Sequence, residues 1–173
     1  MDKAVIESCD TYFYEMAVRL GIDNMSAGMA EFGFGRRQGG DVIGDVPGIL
    51  PSRDWKRSAR REAWYLGETV IAGIGQGYWV TTPLQLATAT ATMARRGEFI
   101  EPHYAVRPDL EEGRSTGLGT ESDWERMIDA MELVMHGETG TARASGRNAP
   151  YRIAGKTGTA QVIAIAQDEE YDA

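Results

Sequence analysis

Cysteine is almost absent from this 173-residue chain: Cys9 is the only one. No internal disulfide can form, and a cysteine-ligated zinc site is excluded because one thiolate cannot build it. Histidine is scarce as well, and His103 and His136 stand too far apart in sequence to suggest a metal site. Neither a metal nor another cofactor is therefore expected. The chain holds no apolar run of about eighteen residues and no signal-peptide pattern, so as it stands it carries neither a membrane-spanning helix nor its own export address. Positive charge is not in excess. A net charge of −8 with a pI near 4.8 argues against a nucleic-acid surface. Local basic clusters at Arg36-Arg37 and across Lys56, Arg57, Arg60 and Arg61 read as solvated faces. Internal repeats and low-complexity segments are lacking. What is present is 42% hydrophobic residues, enough for the core of one domain or of a piece of a larger one.

The stretch richest in chemistry is Gly155-Lys156-Thr157-Gly158-Thr159-Ala160-Gln161. It places a cation, two hydroxyls and two glycines at the head of a strand-like run over 160–166. That combination suits an anionic substrate lying along a sheet edge. Lys156 supplies charge, Thr157 and Thr159 each offer a hydroxyl donor, and Gly158 lets a ligand backbone approach closely. Such an edge holds a peptide by strand addition. An ordinary turn entering an exposed strand is the plainer reading of the same residues. A phosphate loop is excluded: it needs a further glycine five residues before Gly155, where Pro150 stands, and Tyr151-Arg152-Ile153-Ala154 reads as a strand.

Along the chain, apolar spacing predicts a helix over 11–20 stopped by Gly21, for which Ser8 or Asp10 is a natural N-cap. A short helix over 26–32 follows, then a long surface loop over 39–52 and a helical turn or two within 53–66. Three glycines interrupt the apolar run over 69–79, which reads as a buried tight bend. Thr82-Pro83 opens a helix to Ala94 with a small Thr/Ala face. Residues 99–106 read as extended, and 109–119 as a polar connection between edge strands. Ser122-Asp123-Trp124-Glu125 fits a capping box ahead of an apolar stripe through Met135, read as core. Another helical turn is expected within 140–145, and a strand pair over 151–166.

Taken together, Ser8-Cys9-Asp10, the run from Gly73 to Trp79 leading into Thr82-Pro83-Leu84-Gln85-Leu86-Ala87, and Gly155 to Gln161 resemble the transpeptidase domain of penicillin-binding proteins. The similarity covers nearly the whole chain. It is strongest to the class B, elongation-type branch, the penicillin-binding protein 2 family, which has Ser-x-Asp where most relatives have Ser-x-Asn. The resemblance implies an α+β fold, an antiparallel sheet covered by helices. It also implies a partial domain over residues 1–173, because no serine here has lysine three residues later, so the nucleophilic Ser-x-x-Lys segment and the last strands and helix are expected to lie outside.

The implied activity is peptidoglycan D,D-transpeptidation through an acyl-enzyme, with β-lactams as inhibitors. The implied catalytic residues are Ser8, Asp10, Lys156 and Thr159; Thr157, Gly158 and Thr159 would bind substrate. Ser8 would relay a proton to the leaving amine, Asp10 would orient groups around the active-site lysine, and Thr159 N–H would donate to the oxyanion. Gly75-Gln76-Gly77 matches a family signature without a derivable role. Implied partners are the D-Ala-D-Ala stem peptide, β-lactam antibiotics and elongation-complex membrane proteins, at the periplasmic face of the inner membrane. A division-type transpeptidase, a D,D-carboxypeptidase and a non-catalytic penicillin sensor are the alternatives. Alone, the chain is expected to be marginally stable, with the apolar face of its helix through Met135 uncovered and the strand after Gly158 as a sticky edge.

Overall fold

A computed structural model describes residues 1–38, 43–105 and 113–160. Eight helices and one small antiparallel sheet occur among the described residues: α1 (Asp2–Ile6), α2 (Asp10–Leu20), α3 (Ile22–Glu31), α4 (Arg53–Arg60), α5 (Leu66–Ala72), α6 (Pro83–Ala94), β1 (Glu98–Phe99), β2 (Arg114–Ser115), α7 (Glu121–His136) and α8 (Arg143–Gly146). The strands pair with Glu98 opposite Ser115 and Phe99 opposite Arg114; β2 falls inside the stretch expected as a polar connection, of which 109–112 lie outside the described residues.

Local chemistry sets the helix ends. Thr82 and Gln85 cap α6 reciprocally: Thr82 Oγ1 accepts from Gln85 N at 3.1 Å and Gln85 Oε1 accepts from Thr82 N at 3.0 Å. The buried Gln85 amide also donates to Arg36 and Pro47 carbonyls, each at 2.9 Å, which fastens the preceding loop to the start of α6. On the small face of α6, Thr88 and Thr92 hydroxyls bond back to the carbonyls four residues earlier.

Several expectations shift. Helix α7 starts two residues earlier than the predicted box, with Thr120 as its N-cap and Asp123 as the reciprocal partner, because both oxygens there find N–H groups. Helix α3 begins directly after Gly21, whose φ of +77° reverses the chain between α2 and α3. The first half of the predicted bend over 69–79 is helical in α5; only the glycines after Ala72 turn. Lys56, placed on a solvated face by its charge, is instead 1% exposed. It is paired with Glu68 and Glu62 and sits over the rings of Tyr65 and Tyr78. Charge pattern alone does not reveal partners on the next helix.

The core runs through Val5, Ala130 and Val134, with Phe13, Met127, Met131 and Ala142 packed against it. Burying such side chains contributes roughly 1.5–3 kcal/mol each for the larger ones. The apolar stripe of α7, expected to lack cover, is covered in part by α1, Phe13 and Ala142: Trp124 and Val134 are buried, while Met127, Ile128, Met131 and Met135 stay half-buried. The large apolar side chains left exposed include Met16, Val18 and Leu20 on α2 and Leu86 on α6.

Residues 151–160 form no ladder, against the expected strand pair. A strand needs a partner, and these residues are instead held by α7: Gly155 N donates to Met131 O at 3.1 Å and Ile153 N to His136 Nε2 at 3.0 Å. The expected continuation over 161–166 lies outside the described residues, as do 39–42 of the surface loop.

Candidate active site

The turn between α1 and α2 presents Ser8. Helix α1 ends in a Schellman arrangement, with Cys9 N bonded to Ala4 O at 2.9 Å and Ser8 N to Val5 O at 3.3 Å. That motif requires a left-handed residue, and Ser8 fills it with φ +53° where glycine is the usual choice. A side chain in that conformation costs about 1 kcal/mol; Arg61 and Arg96 adopt it as well. Neither Ser8 nor Asp10 caps α2 with its side chain. The N-cap position falls on Cys9, and Asp10 is the first helical residue, where the helix dipole favours a carboxylate.

Across 148 residues of sequence, Lys156 Nζ donates to Ser8 Oγ at 2.8 Å. The same ammonium reaches Thr157 O at 3.0 Å and Thr157 Oγ1 at 3.3 Å. Partial burial lowers the Lys156 pKa from the ordinary lysine value, and the negative charge of Asp10 opposes that shift. The two polar motifs thus form one cluster, which a simple turn leading into an edge strand does not account for.

Thr157 Oγ1 lies 2.9 Å from Thr141 Oγ1, and Thr141 N donates to Ile6 O at 3.3 Å, tying the turn after α7 to the end of α1. Thr159 O accepts from Gln76 Nε2 at 2.7 Å. Gly158 has no described atom within 4 Å of where a Cβ would stand, and its φ is outside the left-handed region. Neither internal packing nor backbone conformation therefore calls for a glycine there.

All of Ser8, Asp10, Lys156, Thr157, Gly158 and Thr159 thus fall at one place. Two contributors escaped the sequence reading. Gln76 was marked by its flanking glycines, but nothing in the sequence shows that its amide reaches Thr159. Thr141 sits in a turn with no signal to distinguish it. Among the described residues no cluster of His, Cys, Asp and Glu is arranged to hold a metal ion.

The chain belongs to the penicillin-binding-protein transpeptidase domain family, whose profile matches residues 1–173. Peptidoglycan D,D-transpeptidase MrdA of Acinetobacter baumannii is 43% identical over 181 residues, covering 99% of this chain and 26% of the relative. MrdA of Escherichia coli K12 is 36% identical, covering 99% of this chain and 28% of the relative. Among solved structures, Pseudomonas aeruginosa PBP2 in complex with WCK 5153 superposes with a TM-score of 0.84 at 46% identity, over 93% of this chain and 38% of that one. Helicobacter pylori PBP2 gives a TM-score of 0.84 at 34% identity, over 93% of this chain and 30% of that one. The chain therefore spans about a quarter of the length of the curated relatives it matches. Its α+β fold is that of the penicillin-binding-protein transpeptidases.

Proposed function

We propose that this chain supplies one wall of the active cleft of an elongation-type peptidoglycan D,D-transpeptidase. The observation that carries the reading is the 2.8 Å bond from Lys156 to Ser8, which joins the Ser-x-Asp and Lys-Thr-Gly motifs. The nucleophilic serine is not among these residues, since none of their serines is followed by lysine at the third position.

In the complete enzyme that serine passes its hydroxyl proton to the lysine of its own Ser-x-x-Lys segment and attacks the carbonyl carbon of the D-Ala-D-Ala bond, forming a C–O bond and an oxyanion. Collapse breaks the C–N bond and expels D-alanine, whose nitrogen takes its proton through the Ser8 hydroxyl, held in place by Lys156. An amine of a neighbouring stem peptide then attacks the ester, the new amide forms and the serine is released. Thr157 and Thr159 hydroxyls receive the terminal carboxylate beside the Lys156 charge, and the N–H of Thr159 is one oxyanion donor; one such donor is typically worth about 3 kcal/mol. The charge of Asp10 opposes the lowering of the Lys156 pKa by partial burial. A β-lactam carbonyl enters the same path and stops at the acyl-enzyme.

The partners that fit are the D-Ala-D-Ala stem peptide, β-lactam antibiotics and membrane proteins of cell elongation. The complex of Helicobacter pylori PBP2 with MreC supports the last. Work at the periplasmic face of the inner membrane suits that chemistry; no helix among the described residues is long and apolar enough to cross a membrane.

Labelling with penicillin tests the reading. The complete gene product should form a stoichiometric acyl adduct by intact-mass spectrometry, and the 173-residue chain alone should form none. An adduct on the isolated chain, or none on the complete protein, would overturn it.

A further inference from the structure

Gln76 is held as a presented side chain. Its backbone N donates to Ile71 O at 3.2 Å. Gly75 and Gly77 flank it with φ of +77° and +79°, conformations that side-chain-bearing residues rarely adopt. The rings that follow are pinned: Tyr78 donates to Glu68 at 3.1 Å, and Trp79 Nε1 to Ala72 O at 3.1 Å. Gly73, at the end of α5, lies so close to α2 that a Cβ there would stand 2.5 Å from the Ala17 side chain. The loop is therefore braced against the same helix whose first turn carries Asp10. From this braced loop Gln76 Nε2 donates to Thr159 O at 2.7 Å.

We propose that Gln76 is a positioning residue for the oxyanion-binding segment. By holding the Thr159 carbonyl it holds the peptide plane after Thr159 and so restricts rotation at Thr159 itself, the residue whose N–H donates to the oxyanion in the transpeptidase reading. The effect is largest in the transition state, where the donor must meet a developing negative charge at hydrogen-bond distance, and small for initial binding. A second tie is needed because residues 151–160 have no ladder of their own; their remaining backbone anchors to α7 lie at Ile153 and Gly155, upstream of Thr159. A carbonyl partner needs a donor, which the Gln76 amide supplies, whereas an ionised carboxylate of the same length only accepts and would repel it.

This inference rests on the transpeptidase reading, and the experiment separates the two. In the complete gene product, pre-steady-state acylation by a chromogenic β-lactam is followed for wild type, Gln76→Ala, Gln76→Glu and Lys156→Ala. For Gln76→Ala the acylation rate constant should fall roughly five- to tenfold, with the non-covalent dissociation constant and the melting temperature nearly unchanged. Gln76→Glu, equal in length, should lose more at neutral pH and regain rate as its carboxyl is protonated at lower pH, when it again donates. A slow Lys156→Ala variant beside unaltered rates for both Gln76 variants would refute the positioning role and leave the transpeptidase reading standing. A lowered melting temperature with unchanged acylation would assign Gln76 to the fold alone. Absence of acylation in the wild-type protein would overturn both.

Discussion

Lys56 and Lys156 are both held by other groups of the chain, Lys56 by carboxylates and aromatic rings and Lys156 by hydroxyl and carbonyl oxygens, and these surroundings push them in opposite directions. Lys56 is enclosed between α4 and α5. Burial alone would lower its pKa, but hydrogen bonding and charge from Glu68, with Tyr78 and Glu62 adding to them, hold it above the ordinary lysine value. Lys156 is exposed at the cleft, bonds to hydroxyl and carbonyl oxygens only, and is shifted down by partial burial with Asp10 as its counter-charge. A cation whose partners all belong to the protein stabilises a fold. One whose neighbours stop short of neutralising it is left to meet a charge that arrives from outside.

The largest effect expected from breaking this contrast lies on the Lys156 side. Lys156→Ala in the complete gene product should slow acylation by roughly 10²-fold or more while leaving the melting temperature close to wild type. Stopped-flow acylation with calorimetry on the same samples checks both halves. Unchanged acylation in folded protein would make Lys156 merely structural.

Glu68→Ala probes the other side. The carboxylate accepts from Lys56, from Tyr65 N at 2.7 Å and from Tyr78 at 3.1 Å. Its removal leaves those donors short of a partner and should lower stability by about 2 kcal/mol, and it should slacken the loop bearing Gln76. Denaturant unfolding measures the first. The pH dependence has a definite sign. Because the folded pKa of Lys56 is raised, its contribution is complete below the unfolded lysine pKa and is lost as pH rises through the folded value. Glu68 is also penalised by burial, but Lys56 and the Tyr65 N–H lower its pKa overall, so its contribution is present above the unfolded carboxylate pKa and lost as pH falls through the folded value. Lys156 has the opposite sense: its shift disfavours the charged form, and that penalty is relieved on the alkaline side. Melting curves of Lys56→Met should therefore lose much of the wild-type decline above about pH 10; an unaltered decline would show that Lys56 is not the group responsible.

Ser8→Gly should split stability from activity. Glycine accepts the left-handed conformation freely, so stability should rise by about 1 kcal/mol, while loss of the hydroxyl slows acylation. A variant destabilised by the change would show that Ser8 is there for the turn.

The same contrast explains what the residues revealed in order. The Ser-x-Asp and Lys-Thr-Gly elements are short, local and rich in rare combinations, so Ser8, Asp10, Lys156, Thr157, Gly158 and Thr159 were legible before any fold. The helices with clear starts and stops, α2 and α6, were legible for the same reason, since Gly21 and Thr82-Pro83 act within one turn. Charge pattern misplaces Lys56 because its partners are Glu62, in the connection after α4, and Glu68, on α5, and composition misplaces residues 151–160 because a β-rich makeup says nothing about whether a partner strand is adjacent. Gln76 and Thr141 act across the fold, on segments far away in sequence, and no local pattern records that.

The smallest effect belongs to Thr141, which touches the site only through another side chain. Its hydroxyl lies 2.9 Å from that of Thr157, and its backbone N–H is tied to Ile6 O just ahead of Ser8. Thr157 Oγ1 is also 3.3 Å from Lys156 Nζ, so that hydroxyl stands between a cation that donates to it and a threonine that shares a proton with it. Under the proposed function, fixing its rotamer would aim that hydroxyl at the substrate's carboxylate. Thr141→Val preserves shape and the backbone bond to Ile6 and deletes only the hydroxyl. Because Thr141 is exposed, water replaces the lost partner in part, and one neutral hydrogen bond of this kind is worth about 0.5–1.5 kcal/mol. Acylation efficiency should drop by roughly threefold, mainly through weaker initial binding of a carboxylate-bearing β-lactam. Little change is expected for an analogue lacking the carboxylate. An equal loss for both compounds would mean that Thr141 acts on the backbone of the segment and not on the orientation of Thr157.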